Sequence, residues 1–217
     1  MLQHLDPVGG QLFDVFEFEE IQKWTNTLAN VPSLKIMHND CHGVDENNIY
    51  NFWFQKIIFS RIKDLFGQHL KLVFGMLLNE TKPWGIHTDA YHCDIFADRK
   101  PALSILIPYS VDYNPAWVDK THTVIFDQVS DSNQDMAHVY TQTNKDHPRT
   151  ACNIFQCHLS HNDNADLINA LTVQGIYRWA QGSVIYWNSR NLHDSDNFVA
   201  NGFTSKQAIV LHTFVPK

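Results

Sequence analysis

The segment Pro83–Asp94, PWGIHTDAYHCD, places four possible metal ligands within eight positions: His87, Asp89, His92 and Asp94. Side chains two residues apart in an extended strand point to the same face, so His87 and Asp89 project together if GIHTDAY is extended. His92 is out of phase with His87, and we read His92 and Asp94 as neighbouring or solvated loop residues. An H-x-D triplet alone also fits a loop histidine that is hydrogen-bonded to a nearby aspartate.

A third histidine from a neighbouring strand would complete a facial triad of two imidazoles and one carboxylate. This set leaves half of an octahedral coordination sphere open and is typical of non-haem Fe(II) centres. His193 follows the apolar segment GSVIYW and is a candidate for this position, with His212 as its rival. The sequence therefore predicts a metal site that joins segments more than a hundred residues apart.

Lys206 comes 13 positions after His193, at the start of the apolar segment SKQAIVLHTF. An ammonium on the same strand face as Ala208 and Val210 is costly to bury without an anionic partner. A ligand carboxylate would serve as that partner. The alternative is that Lys206 lies at the exposed end of the strand and extends its charge into water.

The elements that must position these residues follow two patterns. Residues 17–67 are typical of helices, with Ile21, Trp24 and Leu28 at helical spacing and a wide apolar stripe after Asp45. From residue 70 onward the sequence consists of short, turn-bounded runs that are rich in β-formers, namely 70–80, 102–110, 122–128, 182–189 and 205–215. The pattern predicts a mainly β barrel or sandwich buttressed by N-terminal helices. The polar, aperiodic segment 129–181 is a candidate insert or lid.

Composition narrows the classes of protein that need to be considered. Hydrophobic residues make up 44% of the 217 residues, which is enough for one large domain spanning 1–217. The net charge of -7, without a Lys/Arg run, argues against nucleic-acid binding through a broad basic surface. We find no signal-peptide pattern, no apolar run of membrane-spanning length and no disulfide framework among the four cysteines. We therefore expect a cytoplasmic protein with free thiols and no membrane partner.

The order of these features resembles the 2-oxoglutarate/Fe(II)-dependent dioxygenases. The resemblance lies in His87-x-Asp89, the β-rich stretch after it, His193 in WNSRNLHDS, and Lys206 before the last strand, and it covers roughly residues 70–215. It implies a double-stranded β-helix, a jelly-roll or cupin-like barrel. It also implies an enzyme that uses Fe(II), 2-oxoglutarate and O2 to hydroxylate a small-molecule or peptide substrate, with release of succinate and CO2.

The resemblance also implies roles for individual residues. His193 is preferred to His212 as the third ligand, because in these enzymes a basic residue follows the distal histidine. Lys206 would hold the far carboxylate of 2-oxoglutarate, supported by a hydroxyl group from Ser104, Thr123 or Tyr109. Asn79 stands where many members place a polar residue near the co-substrate, although it also fits a strand-end or turn position.

Two other classes of function stay open. One is a non-catalytic barrel that binds a metal for structure or sensing, and the other is a cupin-like metalloenzyme that does not use 2-oxoglutarate. Separately, CNIFQCHLSH contains Cys152, Cys157, His158 and His161 and could be a zinc site. Its spacing is irregular, and we interpret it as a surface hairpin or helix with incidental thiols.

Overall fold

The computed structural model describes residues 9–30, 35–37, 41–43, 54–89, 99–111, 121–129, 158–161 and 170–217. The described helices are too short and too polar for any of them to cross a membrane.

The described strands form two antiparallel sheets, one of seven strands and one of three. The large sheet has the order β1-β8-β5-β10-β4-β3-β2 and the small sheet the order β7-β6-β9. The strand bounds are β1 Gly9–Leu12, β2 Lys35–Met37, β3 Cys41–Gly43, β4 Lys71–Glu80, β5 Arg99–Val111, β6 His122–Val129, β7 Val173–Arg178, β8 Val184–Asn188, β9 Asn191–Ser195 and β10 Lys206–Pro216.

The two sheets face each other across a cavity of about 680 Å³. Strand β10, which pairs with both β4 and β5, shows how alternation builds this interior. Lys206, Val210 and His212 line the cavity, whereas Ile209 and Leu211 belong to the apolar layer on the opposite face of the sheet. Because successive side chains of a strand point to opposite faces, one face of β10 lines the cavity and the other face packs in the apolar layer.

Two helical segments cover that apolar layer. Helix α1, Phe18–Ala29, buries Ile21, Trp24 and Leu28, the residues that the sequence pattern selected. A π-helical turn, Gln55–Phe59, leads into helix α2, Ser60–Phe66, which ends at Gly67 with a positive φ of 116°. Both segments pack on the large sheet, so the prediction of a mainly β fold with a helical buttress is confirmed for the described residues.

Strands β2 and β3 lie within 17–67, the range predicted to be mainly helical, and β7 and β9 lie where the sequence predicts no strand. β7 lies inside 129–181, so the end of the predicted insert belongs to the small sheet. The sequence places NLHDS after the apolar strand GSVIYW and predicts no strand there. In the structure these five residues form β9, and all of them are buried. The segment with His193 is therefore a buried strand of the small sheet.

The close approach of the π-helical turn to the large sheet depends on Gly75 of β4. A Cβ atom at this position would lie 2.5 Å from Cδ1 of Phe54, whose side chain is fully buried. No ordinary carbon–carbon contact is this short, so any side chain here displaces the ring or the strand. Glycine therefore sets the distance between the buttress and the sheet.

We expect Gly75→Ala to lower the free energy of unfolding by about 1–3 kcal/mol, because it overpacks this contact. Urea unfolding of the purified variant measures the change. The same substitution should cost less in a Phe54→Leu background, because the smaller side chain leaves room for the methyl group. An equal cost in both backgrounds would contradict the assignment of the strain to Phe54.

Candidate metal centre

His87 and His193 are brought together by a short antiparallel bridge between the segment after β4 and strand β9. The backbone N–H of His87 donates to the carbonyl of His193 at 3.0 Å, and the reverse bond measures 2.9 Å. The backbone N–H of Asp89 donates to the carbonyl of Ser189 at 3.0 Å. These bonds align the H-x-D segment beside the small sheet, so its two ligands face the distal histidine.

Both imidazole rings are oriented by backbone carbonyls. Nδ1 of His87 lies 2.7 Å from the carbonyl oxygen of Gly85, and Nδ1 of His193 lies 3.2 Å from that of Asn191. A carbonyl oxygen only accepts, so Nδ1 carries the proton in each ring and Nε2 keeps its lone pair. This second-neighbour hydrogen bond is the usual way in which metal-binding histidines are held in one tautomer.

The Nε2 atoms converge on the carboxylate of Asp89. Nε2 of His193 lies 3.4 Å from Oδ2 of Asp89, and Nε2 of His87 lies 4.0 Å from Oδ1. One ligand atom from each residue lies within 4.8 Å of the others. Oδ2 of Asp89 is buried and has no hydrogen-bond partner among the described residues, which fits an oxygen that binds a cation.

The ionisation states also fit a metal. Burial alone raises the pKa of Asp89, but the surrounding histidines His193, His212 and His87 outweigh it and hold the pKa below its ordinary value. Burial lowers the pKa of His193 to about 4, although Asp89 opposes this change. Near pH 7 the site therefore offers an ionised carboxylate and a neutral imidazole, the forms that coordinate Fe(II).

His212 of β10 lies beside the triad. Its Nδ1 is 3.7 Å from Oδ2 of Asp89 and 3.2 Å from Oγ of Ser104, and its ring packs on Phe74 at 4.5 Å between centroids. The bridge partner of His87 is His193, and the compact ligand cluster contains His193. His212 is thus placed to hold the carboxylate of Asp89 in position, and His193 is the better candidate for the third ligand.

Lys206 lies in the same cavity with its side chain fully buried. Its Nζ is 3.1 Å from Oε2 of Glu80, the residue directly opposite it on β4, and 3.6 Å from Oδ1 of Asp196. The ammonium also lies 4.2 Å from the ring centroid of Trp179. The expectation of an anionic partner is met by protein carboxylates, and the alternative of a side chain extended into water is wrong.

The other residues predicted for co-substrate binding lie in different places. Ser104 is beside His212 at the metal end, and Thr123 lines the cavity but accepts a hydrogen bond from Nε1 of Trp179 at 2.8 Å. Tyr109 packs against the outer apolar layer, and Asn79 accepts from Nε2 of Gln207 at 3.3 Å. Neither Tyr109 nor Asn79 is among the residues that line the cavity.

Glu80, rather than Asn79, is the polar residue that β4 directs toward Lys206. The sequence contained the signal, because Leu78 and Glu80 share one strand face and Asn79 lies on the other. Asp196 was missed as well, since it follows a strand that the sequence pattern did not reveal. His92 and Asp94 lie outside the described residues, as do Cys152 and Cys157.

No protein-family model and no curated protein sequence matches the chain. Several solved structures do match its fold. SnoN, a non-haem α-ketoglutarate-dependent epimerase from nogalamycin biosynthesis, gives a TM-score of 0.55 at 10% identity, covering 97% of this chain and 79% of that one. A 2OG-Fe(II) oxygenase-family oxidoreductase from Burkholderia pseudomallei gives 0.51 at 13% identity, with 94% and 83% covered.

HygX from Streptomyces hygroscopicus, solved with nickel and 2-oxoglutarate bound, also matches. It gives a TM-score of 0.51 at 13% identity, with 98% of this chain and 84% of that chain covered. At these identities the likeness is one of fold. The prediction of a double-stranded β-helix is confirmed by these neighbours together with the two antiparallel sheets.

We expect His193→Ala to weaken Fe(II) binding by more than about 100-fold, because it removes a ligand. We expect His212→Asn to weaken it by about 10-fold or more, because loss of a neighbour that orients a ligand costs about 10–100-fold. Anaerobic equilibrium dialysis against Fe(II) measures both. His69→Ala, at an exposed histidine far from the cavity, is the control. A larger loss for His212→Asn than for His193→Ala would make His212 the third ligand.

Proposed function

We propose that the protein is an Fe(II)- and 2-oxoglutarate-dependent dioxygenase that hydroxylates a C–H bond of its substrate. The observation that carries this proposal is the presence of two features in one cavity: the His87–Asp89–His193 cluster and the buried ammonium of Lys206. The fold shared with 2-oxoglutarate-dependent oxygenases supports it.

Each residue of the cluster has a role in this proposal. His87, Asp89 and His193 would hold the iron through two Nε2 atoms and one carboxylate, a set that leaves the metal able to bind further ligands. With 2-oxoglutarate and O2, the iron supplies oxidation of a C–H bond, with succinate and CO2 as by-products. Trp84, Trp187 and Leu106 form an apolar part of the cavity wall and would limit the access of water to that reaction.

The substrate, a small molecule or a peptide side chain, would enter the same cavity. Much of its wall is aromatic or aliphatic, which favours contact with an apolar portion of the substrate. Its apolar lining consists of Phe74, Met76, Leu78, Trp84, Leu106, Trp179, Trp187 and Val210.

Lys206 would bind the far carboxylate of 2-oxoglutarate, and this requires an exchange of partners. Its ammonium is paired with Glu80 and Asp196, so a further anion meets two negative charges as well as one positive charge. Burial raises the pKa of Glu80, against the opposing effect of Lys206. A protonated Glu80 would leave Lys206 available to the incoming carboxylate and could itself donate a hydrogen bond.

The same ion pairs favour a second candidate. A metalloenzyme with this barrel that does not use 2-oxoglutarate needs no free cation in its cavity. In that case Glu80 and Asp196 would be the permanent partners of Lys206. The two candidates share the metal cluster and differ in what Lys206 binds.

Titration of 2-oxoglutarate into the anaerobic Fe(II)-loaded protein separates them. We expect a visible metal-to-ligand charge-transfer band that saturates with 2-oxoglutarate, followed by succinate release when air is admitted. The band should be absent from the Asp89→Ala variant. Fe(II) binding without a band and without succinate would reject the dioxygenase in favour of the second candidate. Failure of the parent protein to bind Fe(II) would reject both.

We expect Glu80→Gln to tighten 2-oxoglutarate binding by about tenfold, equivalent to about 1.4 kcal/mol, because it removes one negative charge beside Lys206. The dissociation constant from the same titration gives the change. Asn79→Ala, one residue earlier on the outward face of β4, is the matched control and should leave the constant unchanged. Unchanged or weaker binding in Glu80→Gln would contradict the proposed exchange of partners.

A further inference from the structure

A second group of side chains that could bind a metal lies outside the triad, at the C-terminal end of strand β9. It consists of His122 at the start of β6, His158, and Asp196 directly after β9, and one ligand atom from each lies within 4.8 Å of the others. Nδ1 of His122 is 3.4 Å from Oδ2 of Asp196. The His122 and His158 rings meet edge to face with centroids 4.9 Å apart.

Backbone hydrogen bonds hold the three residues together. The N–H of Asp196 donates to the carbonyl of His122 at 3.2 Å, and the N–H of Asn197 donates to that of His158 at 2.6 Å. The side chains are therefore grouped by the sheet itself and by its contact with the segment 158–161. A site built on such bonds needs little rearrangement to accept a ligand.

The polar atoms of this group are left without hydrogen bonds. Among the described residues, Nδ1 of His122, Nδ1 of His158 and both carboxylate oxygens of Asp196 are buried and have no hydrogen-bond partner. Asp196 is 0% exposed, so water does not compensate for this loss. A buried carboxylate with no hydrogen bond is costly and commonly marks an ion that binds there.

The charges around Asp196 point the same way. Glu80 and Asp196 are both buried, and they share the ammonium of Lys206. Lys206 lies nearer to Glu80, at 3.1 Å, than to Asp196, at 3.6 Å. Asp194 has its own partner, His161, at 3.3 Å. Asp196 thus shares the ammonium of Lys206 with Glu80, and the His122 ring is its other close partner.

We propose that His122, His158 and Asp196 bind a divalent cation of the zinc class, separate from the metal of the triad. Two imidazoles and one carboxylate suit Zn(II), with solvent as the fourth ligand of a tetrahedral site. His122 and His158 are only partly buried, which gives the ion a path from solvent.

The metal would join three parts of the chain. It would link the start of β6 and the end of β9 to the segment 158–161, which the sequence reading had interpreted as a surface element. Because the metal would compensate the negative charge of Asp196, it would also leave the ammonium of Lys206 more available to other anions. The site requires neither iron nor 2-oxoglutarate, so it can be tested independently of the proposed dioxygenase activity.

The test is Zn(II) binding to the metal-free full chain. Metal analysis after desalting should find two equivalents on the parent protein and one on the Asp89→Ala/His193→Ala variant, whose triad is disabled. Adding His158→Gln to that variant should remove the remaining equivalent. Adding His161→Gln, three residues further along the same segment, should not. A triad variant that binds no Zn(II), or a His158→Gln addition that leaves the equivalent in place, would overturn the proposal.

A measurement on the unaltered chain guards against variants that fail to fold. In ¹⁵N spectra of the histidine side chains, Zn(II) should shift the imidazole nitrogens of His122 and His158 as well as those of His87 and His193. The His161 nitrogens should keep the pattern set by Asp194. Shifts confined to His87 and His193 at saturating Zn(II) would reject the second site whatever the variants do.

Discussion

The ammonium of Lys206 lies out of water inside a barrel whose wall is largely aromatic and aliphatic. Such a charge is tolerated only when anions compensate for its lost hydration, and this requirement places Glu80 opposite it on β4 and Asp196 at the end of β9. Each buried carboxylate then needs partners of its own. Much of the polar interior, including the hydrogen bond from Ser195 to Glu80, follows from this one buried cation.

Strand β9 connects the two ends of the interior. Its residue His193 belongs to the metal cluster, its last residue Ser195 bonds Glu80, and Asp196 follows at the cation. The strand is buried although four of its five residues are polar. Polar side chains in such a position need partners to be stable, so β9 depends on polar contacts more than on apolar packing.

This explains what the sequence could and could not predict. Strands β4, β5, β6, β8 and β10 and helix α1 bury apolar residues at regular spacing, and that regularity is visible in the sequence. β9 was missed because Asn, Asp and Ser are poor β-formers, and only tertiary pairing with β6 makes NLHDS a strand. Asp196 was not predicted for the same reason, because it directly follows β9. Glu80 was not predicted because Asn79, on the opposite face of β4, was assigned to the cavity instead. The metal cluster could be predicted from the sequence. The i, i+2 spacing selects His87 and Asp89, and the order of residues along the chain selects His193.

The buried polar atoms that lack hydrogen bonds give a further constraint on the interior. Among the described residues, the buried carboxylate oxygens in this condition belong to Asp89 and Asp196 only. Each of these aspartates lies in a cluster with two histidines: the first cluster includes His193 in the middle of β9, and the second includes Asp196 directly after it. Buried carboxylates elsewhere in the barrel have donors, as Glu80 has Ser195 and Lys206. A cation at each proposed site would explain this pattern, because it would replace hydrogen bonds whose absence at a buried carboxylate otherwise costs stability.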